Sequence, residues 1–118
     1  MTSREIAEKA ARVLDAKIAQ NIKVIRIDEI SSLGDYFVIA TGNSSTQVTS
    51  LADHVEEKLK EAGVAPYAVE GYRSNGWVLL DYTSVLVHIF TTDARDYYDL
   101  DRLWGDGEEI KIDFTAEN

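Results

Sequence analysis

WVLLDYTSVLVHIF, residues 77–90, decides how the rest of the chain is read. Two apolar runs, 77–80 and 85–90, flank Asp81, Tyr82, Thr83 and Ser84. Short apolar runs bounded by turn residues read as strands. With Thr83 and Ser84 as the turn, the runs form a hairpin in which Tyr82 faces Val85, Leu80 faces Val87 and Val78 faces Ile89. That face is apolar apart from one tyrosine hydroxyl and belongs against a core. The other face carries Trp77, Leu79, Asp81, Leu86, His88 and Phe90. On it Trp77 lies opposite Phe90, and Leu79 opposite His88. A solvated sheet face would show charged and hydroxyl residues instead. The second face therefore requires cover, from a helix of the same chain or from a partner. Covered sheets are ordinary in α/β domains, which favours the helix. Partial cover would leave Trp77 and its neighbours exposed, the profile of an interface anchor.

Working outward, residues 2–19 read as a helix. Ile6, Ala10, Val13, Leu14 and Ile18 repeat at helical spacing. Thr2 and Glu5 fit a capping box, and Asn21 marks the end. A short strand follows at 23–27, then a loop over 28–34. DYFVIATG, 35–42, runs apolar with Val38 beside Ile39, so both faces are covered and the strand is central. Asn43 to Thr46 offer N-caps for a helix that places Val48, Leu51, Ala52, Val55, Leu59 and Ala62 on one face. Glu56 and Lys60 are spaced for an ion pair on its other face. Gly63 suits the C′ position. A strand over 67–70 and a loop ending in the turn signal Asn75-Gly76 lead into the hairpin. Thr92 or Asp93 caps a helix over 94–104, and EEIKIDF, 108–114, is either an edge strand or a tail that orders on contact. The fold expected is α/β: one mixed β-sheet flanked by helices, as a single domain over 1–106 with an acidic C-terminal extension over 107–118.

The chain has 118 residues, 45% of them hydrophobic, enough to bury a core without staples. It has no cysteine, so disulfides, thiolate chemistry and sulfur-ligated metals are excluded; this fits a reducing compartment. No apolar run reaches membrane-spanning length, and MTSREIAEKAARVL lacks the apolar centre of a signal peptide. A cytoplasmic protein with no membrane partner is expected. The net charge is −9, and residues 93–118 hold nine acidic and three basic residues, −6 of that total. Little direct nucleic-acid binding is expected from such a surface, whereas a basic protein partner suits it.

The chemistry-bearing residues form no established constellation. An aspartate just before a turn usually accepts backbone hydrogen bonds, which is the expected role of Asp81. His88 on an apolar strand reads as a hydrogen-bonded core histidine, and His54 has no histidine at i,i+4. No zinc spacing is present. TGNSS, 41–45, offers free amides at a helix start but lacks the glycines and lysine of nucleotide loops. Asp35 and Asp81 both approach strand ends, yet no DxD or DxE pair provides the convergent acids of two-metal chemistry. Ser44 and Ser45 lack a nucleophile elbow. No catalytic residue, metal site or cofactor is expected.

DYFVIATGNSSTQV at 35–48, VEGY at 69–72, WVLLDY at 77–82, VHIF at 87–90 and ARDYYDLDRLW at 94–104 together resemble the ribosomal silencing factor family, also called the Iojap or YbeB family. The resemblance spans about residues 3–106 in order. It implies a nucleotidyltransferase-like fold without the catalytic acids, and binding instead of catalysis. The implied partner is ribosomal protein L14 of the large subunit, whose occupation prevents the small subunit from joining. A homodimer when free is a further implication. Matching positions are Asp35, Tyr36, Trp77, Asp81, Tyr82, His88, Phe90, Tyr98, Leu100 and Trp104. The partner-binding set expected is Trp77, Leu79, Asp81, Tyr82, His88, Phe90, Tyr98 and Trp104, rimmed by the acidic helix. The chain departs from the family in one place: Thr83-Ser84 stand where Gly-Asp is usual. A large-subunit assembly factor acting through L14, and a metal-dependent nucleotidyltransferase using Asp35 and Asp81, are the alternative readings.

Overall fold

In the computed structural model, which describes residues 1–71 and 76–115, the stretch 77–90 is a hairpin. β4 (Trp77–Asp81) and β5 (Val85–Thr91) pair antiparallel in the expected register, Trp77 opposite Phe90 and Leu79 opposite His88. The Tyr82 amide donates to the Val85 carbonyl at 2.9 Å and closes the turn. Asp81 Oδ1 accepts from the Thr83 amide at 2.7 Å, the local role expected of it. Thr83 sits at φ +70°. That left-handed region suits glycine and disfavours a β-branched residue. Thr83 is thus held in a conformation that glycine would adopt freely.

The hairpin lies within a six-stranded sheet of order β3-β4-β5-β2-β1-β6. β1 is Gln20–Arg26, β2 is Tyr36–Gly42, β3 is Ala68–Glu70 and β6 is Glu108–Ile110. Only β2 and β5 run parallel; the other pairings are antiparallel, so the sheet is mixed. β2 is buried along its whole length, as its adjacent apolar residues require of a central strand. The Ser84 carbonyl accepts from the amides of Asp35 and Tyr36, which ties the hairpin turn to the start of β2. Part of the acidic extension, residues 108–110, supplies the strand that pairs with the edge of β1.

Two long helices cover one face. α1 (Ser3–Ala16) begins in the Thr2–Glu5 capping box, and α2 (Ser45–Glu61) is capped by Ser44. Ala7, Ala10 and Ala11 are fully buried, so α1 lies close against its neighbours, with Ile6 and Leu14 filling the gaps. Val48, Leu51, Ala52, Val55 and Leu59 of α2 meet Val78, Leu80, Val85, Val87 and Ile89 from the hairpin in the same core. Gly63, at φ +85°, donates to the Lys60 carbonyl while Val64 donates to Leu59, a complete Schellman stop.

Several local expectations give way to tertiary structure. Ile18 lies outside α1, is 77% exposed and has φ +68°. It donates to Asp15 and Ala19 donates to Leu14, so an isoleucine occupies the position where glycine is usual. Asn21 does not end the helix; it lies within β1, where the register slips between Gln20 and Lys23. On α2 the ion pair formed is Lys58–Glu61, not Glu56–Lys60. The helix expected over 94–104 is broken into α3 (Thr92–Tyr98) and α4 (Leu100–Leu103) by Asp99 at φ +52°. Its cap is Thr91, whose hydroxyl accepts from the Ala94 amide. Tyr72 of VEGY and Asn75 of the Asn75-Gly76 turn lie outside the described residues.

Relief of the strained turn gives a direct check. Thr83→Gly is expected to raise stability by about 1 kcal/mol, since left-handed backbone costs an L-residue on that scale and glycine returns part of the gain as unfolded-state entropy. Urea unfolding of both proteins reads it; an unchanged or lower midpoint would show that the turn stores no strain.

Candidate docking face

The sheet face opposite α1 and α2 is apolar at its centre. Ile25, Ile27, Phe37, Ile39 and Phe90 are buried there, with Trp77, Leu86, Ala94, Leu100 and Trp104 packed around them and partly exposed. α3 and α4 supply the cover, and they have only seven and four residues. They reach over Phe37 and Phe90 but leave Trp77, Leu79, Asp81 and Leu86 half-buried. Both kinds of cover considered for this face are thus relevant: the chain's own helices cover part of it, and the remainder is open.

What holds those short helices down is Arg95. Its guanidinium donates to Asp101 through two nitrogens, at 3.2 and 2.9 Å, and to the Thr41 hydroxyl at 2.9 Å. It also donates to the Asn21 carbonyl, in the segment where β1 slips register. Lys23 approaches Asp101 at 3.2 Å from the sheet side. Arg95 and Lys23 together hold the Asp101 carboxyl at a pKa of about 2, the Arg95 hydrogen bonds contributing most. Sequence reading missed this clamp, because its members lie on three separated segments. The one local signal was Thr41, a hydroxyl residue on an otherwise apolar buried strand.

The aromatic residues form one continuous run across the face. Trp104 meets Phe37 edge-on at 5.1 Å, and Phe37 meets His88 at 4.7 Å. His88 lies 5.8 Å from Trp77, which packs on Phe90 at 5.1 Å and on Tyr98 at 4.5 Å. Tyr97 then packs edge-on against Tyr98 at 5.1 Å. Trp77, Leu79 and Tyr98, with Glu70 and Gly71, line a shallow groove of about 230 Å³. Tyr97 is 82% exposed, Leu103 66% and Tyr98 42%.

The expected site residues therefore separate by depth. Trp77, Leu79, Asp81, Tyr98 and Trp104 reach the surface. Phe90 has no exposed surface and His88 is 5% exposed, so both support the face from beneath. Tyr82 lies on the other face, buried in the core with α2, and burial raises its hydroxyl above the usual phenol range. The alternation along β4 that puts Asp81 on the half-covered face puts Tyr82 on the core side. Asp35 and Asp81 do not converge on a common site: Asp35 accepts from the Ser3 hydroxyl at 2.8 Å, and Asp81 holds the hairpin turn. Among the described residues no group of three or more His, Asp or Glu is arranged to hold a metal ion.

Burial lowers the His88 pKa from 6.5 to about 4. The unfolded chain takes up this proton near pH 6.5 while the folded chain resists it. Stability is accordingly full above that pH and is lost as pH falls toward 4. Between about pH 7 and about pH 4.5 the loss expected from this group is roughly 2 kcal/mol. Asp101 loses its contribution in a lower window, from 3.8 down to about 2. Urea unfolding across this range checks the expectation: His88→Asn should flatten the upper part of the profile, and an equally steep profile in the variant would assign the slope to other groups.

The full chain, residues 1–118, matches the family model described as ribosomal silencing factor during starvation. The ribosomal silencing factor of Bacillus subtilis is 38% identical over 114 residues, covering 97% of each chain. A crystal structure of a protein from Chromobacterium violaceum superposes with a TM-score of 0.86 at 38% identity, covering 99% of this chain and 95% of the other. A mouse relative named mitochondrial assembly of ribosomal large subunit protein 1 is 28% identical over 89 residues, 73% of this chain and 39% of that protein. The hairpin, the half-covered face and these likenesses agree, and the chain belongs to the ribosomal silencing factor family.

Proposed function

We propose that this chain is a translational repressor that binds ribosomal protein L14 of the large subunit and sterically blocks the small subunit from joining. The observation that carries the reading is the half-covered aromatic face, with Trp77 packed between Phe90 and Tyr98 beside an open groove. A large, pre-packed aromatic at the centre of an exposed patch is what an interface anchor requires. Glu70 lines the groove beside Trp77, and Asp93 and Asp96 lie on α3, so the helix that crosses the face carries negative charge suited to a basic ribosomal protein. Membership of the silencing family supports the same partner class.

The action is occupancy, not catalysis. In this reading the fold is nucleotidyltransferase-like without the catalytic acids; Asp35 and Asp81 serve a helix start and a turn instead. The domain is 1–106, and the acidic extension 107–118 adds its residues 108–110 to the sheet as the edge strand β6. The protein works in the cytoplasm and pairs as a homodimer when free. A second reading is favoured by the name of the mouse relative: L14 is held during assembly of the large subunit instead of after it. Both readings use one surface.

Pull-down against purified L14, with a subunit-joining assay on the same preparation, tests the proposal. Wild-type protein should bind L14 and inhibit joining. Trp77→Ala should weaken L14 binding by about 2 kcal/mol, roughly thirty-fold, with the fold retained. Unchanged affinity in the folded variant would remove Trp77 from the interface, and absence of L14 binding by the wild type would end the reading.

A further inference from the structure

His88 and Trp77 are joined by a hydrogen bond whose direction is fixed by chemistry. The indole Nε1–H only donates, so His88 Nδ1, 3.2 Å away, is the acceptor. The neutral imidazole then carries its proton on Nε2. That atom is buried and has no hydrogen-bond partner among the described residues. A buried, unpaired N–H is costly, and packing alone does not call for it. Phe37 and Phe90 fill neighbouring places on the same face with hydrocarbon rings. What the histidine adds over a phenyl ring is one acceptor aimed at the indole.

We infer that His88 is the positioning residue for Trp77: as a neutral acceptor it fixes the orientation in which the indole is presented at the docking face, and protonation releases it. A protonated imidazole donates from both nitrogens and has nothing to offer an indole N–H. The inference rests on the proposed docking role of Trp77 for its consequence, though not for the contact itself.

Among the described residues, His88 is the group that titrates at this contact. Across the sheet its row runs Glu70, Leu79, His88, Ile39 and Lys23. Glu70 is separated from it by the Leu79 strand, and Lys23 is paired to Asp101. Asp81 lies in the next row and holds the turn. From the covering helices come Tyr98, which packs on Trp77, and Arg95, which is occupied by Asp101 and Thr41. Burial, not a neighbouring charge, is what disfavours the imidazolium.

The experiment follows the indole N–H and imidazole nitrogen resonances of the full chain, with L14 affinity measured in parallel. His54, on α2, is the internal control. In the wild type at neutral pH the His88 ring should be the Nε2–H tautomer, and the Trp77 indole proton should move together with His88 as acid is added. His88→Asn places a non-titrating oxygen near the Nδ1 position. It should keep the indole resonance and wild-type L14 affinity while abolishing the acid-dependent movement. His88→Phe keeps the ring but removes the acceptor, and should free the indole and weaken L14 binding about ten-fold. An Nδ1–H tautomer in the wild type would overturn the inference, as would an indole resonance that His88→Phe or His88 titration leaves in place. A freed indole with unchanged L14 affinity would overturn the link to docking. The resonance measurements need no partner, so failure of wild-type protein to bind L14 counts against the docking reading alone.

Discussion

A sheet that is apolar on both faces has been given enough helix to seal only one of them. α1 and α2, of 14 and 17 residues, cover the first face and leave its hairpin residues fully buried. α3 and α4, of seven and four residues, cross the second. The alternation along β4 and β5 is period two, so apolar residues facing the short helices are as obligatory as those facing the long ones. The uncovered remainder keeps Trp77, Leu79 and Leu86 partly exposed on one face.

The short helices keep their place because polar contacts do what packing area cannot. Eleven residues in two helices broken at Asp99 bury little apolar surface by themselves. The Arg95 guanidinium joins α3, α4, β2 and the bulged start of β1 through Asp101, Thr41 and Asn21. Arg95 is mostly withdrawn from water, so a bidentate pair there is worth more than its solvent-exposed counterpart. Breaking it would strand a charge and loosen the lid over Phe37 and Phe90. The clamp thus fixes the boundary between sealed and open parts of the face.

The hairpin register, the two helix starts and the central strand were legible because each depends on spacing within one segment. Trp77 opposite Phe90 follows from the position of the turn alone. The helix stop at Ile18 was not legible, because a β-branched residue at positive φ contradicts local preference and is sustained by the backbone bonds around it. Asn21 looked like a helix end for a sound reason: asparagine tolerates left-handed backbone. The structure uses that tolerance inside β1 instead. Asp99 does the same between α3 and α4, within the stretch 94–104 that reads as one helix. The site was legible as a face but not as a depth profile. Alternation says which side a residue is on, while the extent of its cover depends on where a short, clamped helix pair happens to end.

That depth profile changes what the resemblance to the family means residue by residue. A motif such as VHIF combines Val87 and Ile89 in the main core with His88 and Phe90 under the docking face. Only Trp77, Leu79, Asp81, Tyr98 and Trp104 from the expected set present surface to solvent. The buried members act by holding these in place: Phe90 packs beneath both Trp77 and Tyr98, and Phe37 against Trp104. A rigid aromatic anchor loses little freedom on binding, so its underside is part of its affinity. The quoted resemblance thus includes His88 and Phe90, which have almost no exposed surface and instead orient the aromatic side chains that reach it.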